Sequence, residues 1–248
     1  MPSKNSELII LDEINSTNEY LKEISKKNTD IPEFTAVLAK KQTEGKGQRG
    51  NSWISEDGKN LSFSVFLCPE YFWAENQFEI SKFTAVSIVE TLQKINKNIS
   101  IKWSNDIYFE NKKIGGVLIE NTILGNRILN SVIGIGLNVN NNNFTDLPFA
   151  SSLKLISGKE FSIEETAEEI IQTMKKNYHL LYNPEELHKL YLQNLYLRNV
   201  KSKFETNNGT NSVIFEGIIK GIDKYGRLLV ENNENKILNF DIKEIRFL

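Results

Sequence analysis

Residues Ile101 to Glu120 fix a piece of backbone before anything else about the chain is known. Apolar and β-branched residues (Ile107, Tyr108, Phe109, then Ile114, Val117, Leu118, Ile119) flank the polar stretch Glu110-Asn111-Lys112-Lys113, the pattern of two short strands joined by a turn. Lys102, Asn105 and Asp106 stand just before the first strand, and Lys113 and the pair Gly115-Gly116 stand at the start of the second. Polar groups gathered at strand ends suit a site better than a core. Their chemistry is narrow: lysines offer point charges to a phosphate or carboxylate, Asp106 can take a metal ion or a proton, and the glycines let a ligand lie on bare backbone. Taken singly, each is as readily a solvated surface residue. Together they point to a nucleotide and a second anionic substrate.

A second segment strengthens that reading. Thr35 to Lys40 reads as a strand leading into Lys41-Gln42-Thr43-Glu44-Gly45-Lys46-Gly47-Gln48-Arg49-Gly50-Asn51-Ser52-Trp53. Each glycine costs a helix about 1 kcal/mol relative to alanine, so three of them here make a loop. Lys46 and Arg49, interleaved with them, form a cationic backbone cradle able to close over phosphate. The spacing matches neither the P-loop nor the dinucleotide fingerprint. Upstream, Leu8 to Leu11 reads as a strand, and Ser16 with Glu19 reads as a capping box opening a helix that runs to about Lys27. A hydroxyl and free N–H groups at Ser16 and Thr17 would also form an anion site. Downstream, Arg127 to Asn140 is a strand that turns glycine-rich; Gly134 and Gly136 allow close backbone approach, and Asn138 offers an amide to orient a phosphate or a metal-bound water. Asn140 to Asn143 reads as a polar loop.

The remaining segments frame these. Asn60 to Leu67 alternates polar and apolar residues, predicting a half-buried strand, and apolar positions from Phe78 to Ile95 predict a helix over 76–96. Trp53, Trp73 and the phenylalanines of this region are expected in the core, with Trp53 the one to touch a ligand. Helices follow at about 162–180 and 184–197, the second opened by Asn183-Pro184. From about residue 200, Ser212 to Lys220, Arg227 to Glu231, Lys236 to Phe240 and Ile242 to Phe247 read as short strands of a small β-barrel. The 248 residues, 40% hydrophobic, allow one substantial core and a satellite, divided as 1–199 and 200–248.

Several functions are excluded or disfavoured. Apolar runs fall far short of the roughly 20 residues of a spanning helix, and the first residues lack a secretion signal, so a cytoplasmic protein is expected. Cys68 is the only cysteine, which rules out an intramolecular disulfide. His179 and His188 lie far along the chain from the glycine-rich segments, which argues against a Ser-His-Asp engine. With 30 basic and 32 acidic side chains the net charge of −2 gives no general attraction to nucleic acid.

The glycine loop, the Lys102-Trp103-Ser104-Asn105-Asp106 hairpin and the strand Gly134-Ile135-Gly136-Leu137-Asn138-Val139-Asn140, in this order and spacing, resemble biotin–protein ligases from about Ser16 to the C-terminus. The resemblance implies an α+β fold: a catalytic domain like that of class II aminoacyl-tRNA synthetases, a mixed sheet flanked by helices, followed by a small SH3-like barrel. It implies a biotin–[acetyl-CoA-carboxylase] ligase activity in which biotin and ATP, with Mg²⁺, give biotinyl-AMP, and the lysine of a biotin carboxyl carrier protein or domain of a biotin-dependent carboxylase then takes the biotinyl group. By the same resemblance Ser16, Thr17, Asn18, Gln42, Gly45, Lys113 and Gly116 hold biotin. Lys46, Gln48, Arg49, Trp53, Asn105 and Asn138 serve the nucleotide. Lys113, Lys46, Asp106 and Arg49 carry the chemistry, with Asp106 also a metal ligand and a base for the incoming lysine.

Two residues depart from the family: Gln48 stands where a second arginine is common, shifting charge to Lys46 and Lys113, and Ser104 stands where proline is common. Only about fifteen residues precede Ser16, too few for the winged-helix repressor domain of some members, so DNA binding is not expected; the resemblance admits a homodimer. A lipoate–protein ligase, or a non-catalytic protein that keeps the pocket, is the alternative. The first usually carries an arginine pair and a triple glycine that this sequence lacks.

Overall fold

A computed structural model describes residues 7–28, 30–145, 147–208 and 211–248. One inner strand of its main sheet, β3 (Asn60–Leu67), has all eight residues buried. The alternating pattern predicts one wet face; instead both faces are covered. Leu61, Phe63, Val65 and Leu67 pack into the main core, while Phe66 and the small hydroxyls of Ser62 and Ser64 face a helix across the other side.

Around β3 runs a seven-stranded sheet in the order β1 (Leu8–Ile14), β2 (Ala36–Gln42), β3, β7 (Arg127–Asn138), β6 (Lys112–Leu124), β5 (Asp106–Phe109) and β4 (Ile99–Lys102). β1 and β2 are parallel and every other neighbouring pair is antiparallel, so the sheet is mixed. The hairpin of the sequence is β5–β6, its turn reduced to Glu110-Asn111, with Glu110 in the left-handed region at φ 51°.

One helix, α1 (Thr17–Lys27), covers one face: Leu21 joins Val37, Phe66 and Val132 there, with Ile9, Leu11 and Ile24 packed alongside. The capping box at its start does not form. Ser16 makes no side-chain cap; Gln42 Oε1 takes the Thr17 N–H at 2.8 Å, and Glu19 turns outward to lysines. The opposite face carries α2 (Gln77–Leu92), the one-turn α3 (Leu153–Ser157), α4 (Ile163–Asn177) and α5 (Pro184–Gln193). α2 is buried nearly all round because it lies between the sheet and α4 and α5. α4 tightens into a 3-10 turn at Tyr178–Tyr182, and Asn183 caps α5 by accepting the Glu186 N–H, as the Asn-Pro pair predicts. Trp73 is not a core residue: it is 41% exposed, with the Arg127 guanidinium 5.0 Å over its ring.

A second, five-stranded antiparallel sheet follows, ordered β11 (Ile237–Phe240), β10 (Leu228–Asn232), β9 (Asn211–Ile222), β8 (Lys201–Asn208) and β12 (Ile245–Phe247). β8 escapes the sequence pattern because its charged and polar residues hide the strand. Phe204 anchors the sheet's interior, with the rings of Phe215 and Phe247 5.7 and 5.4 Å away. The two sheets meet at a defined seam. The indole N–H of Trp103 donates to the carbonyl of Gly226 at 2.8 Å, and Gly226, at φ 84°, sits where any Cβ would run into the Phe78 ring. Among the described residues no helix is long and apolar enough to cross a membrane.

Candidate active site

The face of the sheet under α1 is dished because β7 presents glycine at alternate positions. Ile133, Ile135 and Leu137 point into the main core; Gly134 and Gly136 leave room on the opposite side. A Cβ at Gly134 would strike the Asn18 amide, and one at Gly136 would strike the Trp53 indole. The glycines are therefore a floor on which the start of α1 and the glycine-rich loop rest.

The hollow above that floor is lined by Ser16, Thr17, Asn18, Gln42, Lys46, Gln48, Trp53, Asn105, Lys113, Gly116 and the β7 glycines, drawing residues scattered over 120 positions into one place. Its polar wall is already assembled. Gln42 Oε1 accepts from the Thr17 N–H (2.8 Å) and hydroxyl (3.0 Å); the Ser64 hydroxyl donates to Asn18 Oδ1 at 2.6 Å and lies 2.7 Å from Thr17 Oγ1. Asn18 Nδ2 donates to Glu120 Oε2 at 2.7 Å. Side chains fixed by one another in this way present donors and acceptors at set positions without further ordering.

A second hollow adjoins the first and has a different build. It lies between the segment Ser52 to Glu56, the loop from Asn141 to Ala150, and Tyr108, Asn60 and Asn138. Its volume is about 670 Å³, and its rim carries Ile54, Leu147 and Phe149, exposed by 79%, 54% and 73%. The loop is tied to the hairpin by backbone: the Lys113 N–H donates to the Phe149 carbonyl at 2.7 Å, and the Ser151 N–H to the Lys113 carbonyl at 2.9 Å. Beneath it Asn60, Asn138 and Asn141 form a buried amide chain, Asn60 Nδ2 to Asn138 Oδ1 at 2.9 Å and Asn141 Nδ2 to Asn60 Oδ1 at 2.8 Å.

Lys113 and Trp53 border both hollows. The Lys113 ammonium pairs with Asp106 at 2.6 Å, and the Trp53 Nε1–H is buried with no acceptor among the described residues. Nearby, Lys102 donates to the Tyr108 hydroxyl at 2.9 Å and lies 5.0 Å over the Phe247 ring of the second sheet. Burial lowers its pKa, the Asp106 charge opposing the shift, and burial also raises that of Tyr108.

Lys46, Lys113 and Asn138 thus surround two adjoining hollows, with Lys46 on the first, Asn138 on the second and Lys113 on both. Asn105 and Gln48, assigned to the nucleotide by sequence, line the first; the Asn105 amide is spent on the Val117 carbonyl at 2.8 Å. Gly45 lies behind the loop, accepting the Trp53 N–H at 2.8 Å, in a third hollow bordered by Lys46 and Glu120. The side chain of Arg49 lies outside the described residues. Sequence reasoning missed Phe144, Leu147 and Phe149, which follow four consecutive asparagines and carry no periodic signal, and Glu120, one position in an otherwise ordinary strand. A single carboxylate beside phosphates suits a loosely held Mg²⁺, and Asp106 offers one; among the described residues no group of three or more acidic, His or Cys side chains could cage an ion.

Known proteins match this chain closely. The family model described as "Biotin/lipoate A/B protein ligase family" matches residues 10–138, and that described as "Biotin protein ligase C terminal domain" matches residues 205–242. The bifunctional ligase/repressor BirA of Bacillus subtilis is 31% identical over 245 residues, covering 95% of this chain and 73% of that protein. The biotin–[acetyl-CoA-carboxylase] ligase of Paracoccus denitrificans is 29% identical over 106 residues, 42% of this chain and 43% of that protein. The solved biotin protein ligase from Aquifex aeolicus in complex with biotin and ATP superimposes with a TM-score of 0.79 at 27% identity, covering 98% of this chain and 99% of that one.

Proposed function

The chain belongs to the biotin/lipoate A/B protein ligase family, on its biotin side, and from that premise we propose how its two hollows divide the work of a biotin–protein ligase. The first receives biotin, whose ring polar atoms meet the Thr17, Gln42, Asn18 and Ser64 network. The second receives ATP, its base among Ile54, Leu147 and Phe149 and its polar edge toward Asn138 and Asn60.

The observation that carries this division is the pair of residues common to both hollows. In the first half-reaction the biotin carboxylate attacks the α-phosphorus of ATP, forming the acyl–phosphate bond and expelling pyrophosphate. Two anions must approach, so a fixed cation between them stabilises the transition state more than either separate ground state. Lys113 stands at that meeting point, and Lys46 reaches the same hollow from the loop. Asp106 would hold Mg²⁺ brought with ATP, and the ion would supply neutralisation of phosphate charge there. In the second half-reaction a carrier lysine attacks the acyl carbon and AMP leaves; the proton released by the amine passes to Asp106, a carboxylate already oriented by Lys113. The Trp53 Nε1–H finds its acceptor on the bound ligand. The carrier is the biotin-accepting domain of a carboxylase, and the named relative in Paracoccus supports acetyl-CoA carboxylase as its class.

The deciding test incubates the protein with ATP, Mg²⁺, biotin and a carrier domain and weighs the carrier. A single biotinyl addition, dependent on ATP and absent when lipoate replaces biotin, is the expected result. An unmodified carrier with no pyrophosphate released overturns the assignment.

A further inference from the structure

Lys46 reaches the first hollow, yet its ammonium is already engaged. Its Nζ lies 2.8 Å from Glu19 Oε1, on the second helical residue after Thr17. Glu19 also faces Lys22 at 3.2 Å, Lys22 pairs with Glu120, and Glu120 accepts from Asn18, whose other amide atom accepts from Ser64 in the polar wall. The ion pairs are half-exposed, and each partner shifts the other: the Lys46 hydrogen bond holds the Glu19 carboxyl below its usual range, and Glu19 raises the Lys46 ammonium. Lys46 also borders the third hollow behind the loop, so its side chain stands between two spaces. Its loop neighbour on the first hollow, Gln48, is neutral.

We propose that Glu19 is a positioning residue that competes with the adenylate for Lys46: the carboxylate parks the glycine-rich loop by this lysine, and the anionic ligand must take it over to draw the loop down. This rests on the reading of the first hollow as the site of acid activation. The apparent affinity for an anionic ligand is then the intrinsic affinity reduced by the fraction of loops whose lysine is parked. Lys22 is a rival partner for Glu19 and Glu120, and by occupying both it keeps them from holding Lys46 more tightly. Glu19 and Lys22 therefore act on the ligand with opposite sign, which a merely structural role for either would not produce.

The experiment compares wild type, Glu19→Gln and Lys22→Gln by titration calorimetry with two probes: biotinol-5′-AMP, the phosphodiester analogue of the intermediate, and biotin methyl ester, which carries no charge. Half-exposed pairs of this kind set the scale at roughly two- to fivefold. Glu19→Gln is expected to bind biotinol-5′-AMP tighter by that factor and Lys22→Gln to bind it more weakly, with the ester unchanged in both; raising salt narrows all the differences. Equal or weaker binding of biotinol-5′-AMP by Glu19→Gln, or a parallel change with the ester, overturns the proposal. Failure of the wild type to bind either probe would strike instead at the reading of the hollow.

Discussion

The two hollows share a border and little else. The first has a floor and polar wall made of residues on strands and at a helix start, with the glycine-rich loop at its edge, and the wall's side chains are bonded to one another before any ligand arrives. The second is made largely of chain without regular structure, and its apolar rim faces water. A site whose groups are already ordered spends little of its ligand's binding energy on ordering them; a site with an open apolar rim gains by closing over its ligand. The first hollow should therefore select by hydrogen-bond geometry and the second by surface burial.

The largest expected effect comes from the residue common to both. Lys113→Ala should lower adenylate formation, followed as biotin-dependent pyrophosphate release, by at least about 10², while its melting temperature stays near wild type because a part-exposed side chain contributes little to folding. Retention of turnover would mean the hollows do not meet there. Next comes Gly134→Ala, which drives a methyl group into the Asn18 amide. At a cost of about 1–3 kcal/mol for overpacking, the biotin dissociation constant should rise about 5- to 150-fold with the KM for ATP little moved. Equal damage to both constants would erase the distinction between the hollows.

Phe149→Ala should do the reverse and more gently. Losing an aromatic contact worth about 0.5–1.5 kcal/mol raises the KM for ATP about two- to tenfold and leaves biotin binding alone. The smallest effect is that of Ser64→Ala, which removes the hydroxyl linking Thr17 and Asn18. A loss of about 1 kcal/mol in unfolding free energy, read by urea denaturation, should come with a modest weakening toward biotin and none toward ATP.

The same contrast explains what the sequence made readable. Elements that bury a face repeat their apolar residues at fixed intervals, so β7 and the hairpin could be located, and the glycines of β7 stood out against that repeat. The start of α1 is legible in the sequence while its cap is not: the Ser16 hydroxyl makes no cap bond, and the first N–H of the helix, that of Thr17, goes to Gln42 from 25 positions downstream. β3 read as half-buried because Ser62 and Ser64 are polar; their burial follows from α1 crossing over them, a tertiary fact. Phe144, Leu147 and Phe149 sit in a loop whose shape is set by its backbone bonds to Lys113, and no local pattern encodes such a tether. Cross-element pairs such as Lys46 with Glu19 are likewise invisible until the chain is folded.

Gly226 carries a consequence for anyone recombining these proteins. Its missing side chain and its left-handed backbone let the turn slip beneath Phe78 and offer a carbonyl to Trp103, three residues upstream of Asp106. A C-terminal segment transplanted from a relative would have to supply glycine at this one spot, or the graft would ride up off Phe78 and leave the tryptophan's proton stranded next to the turn that leads into Asp106.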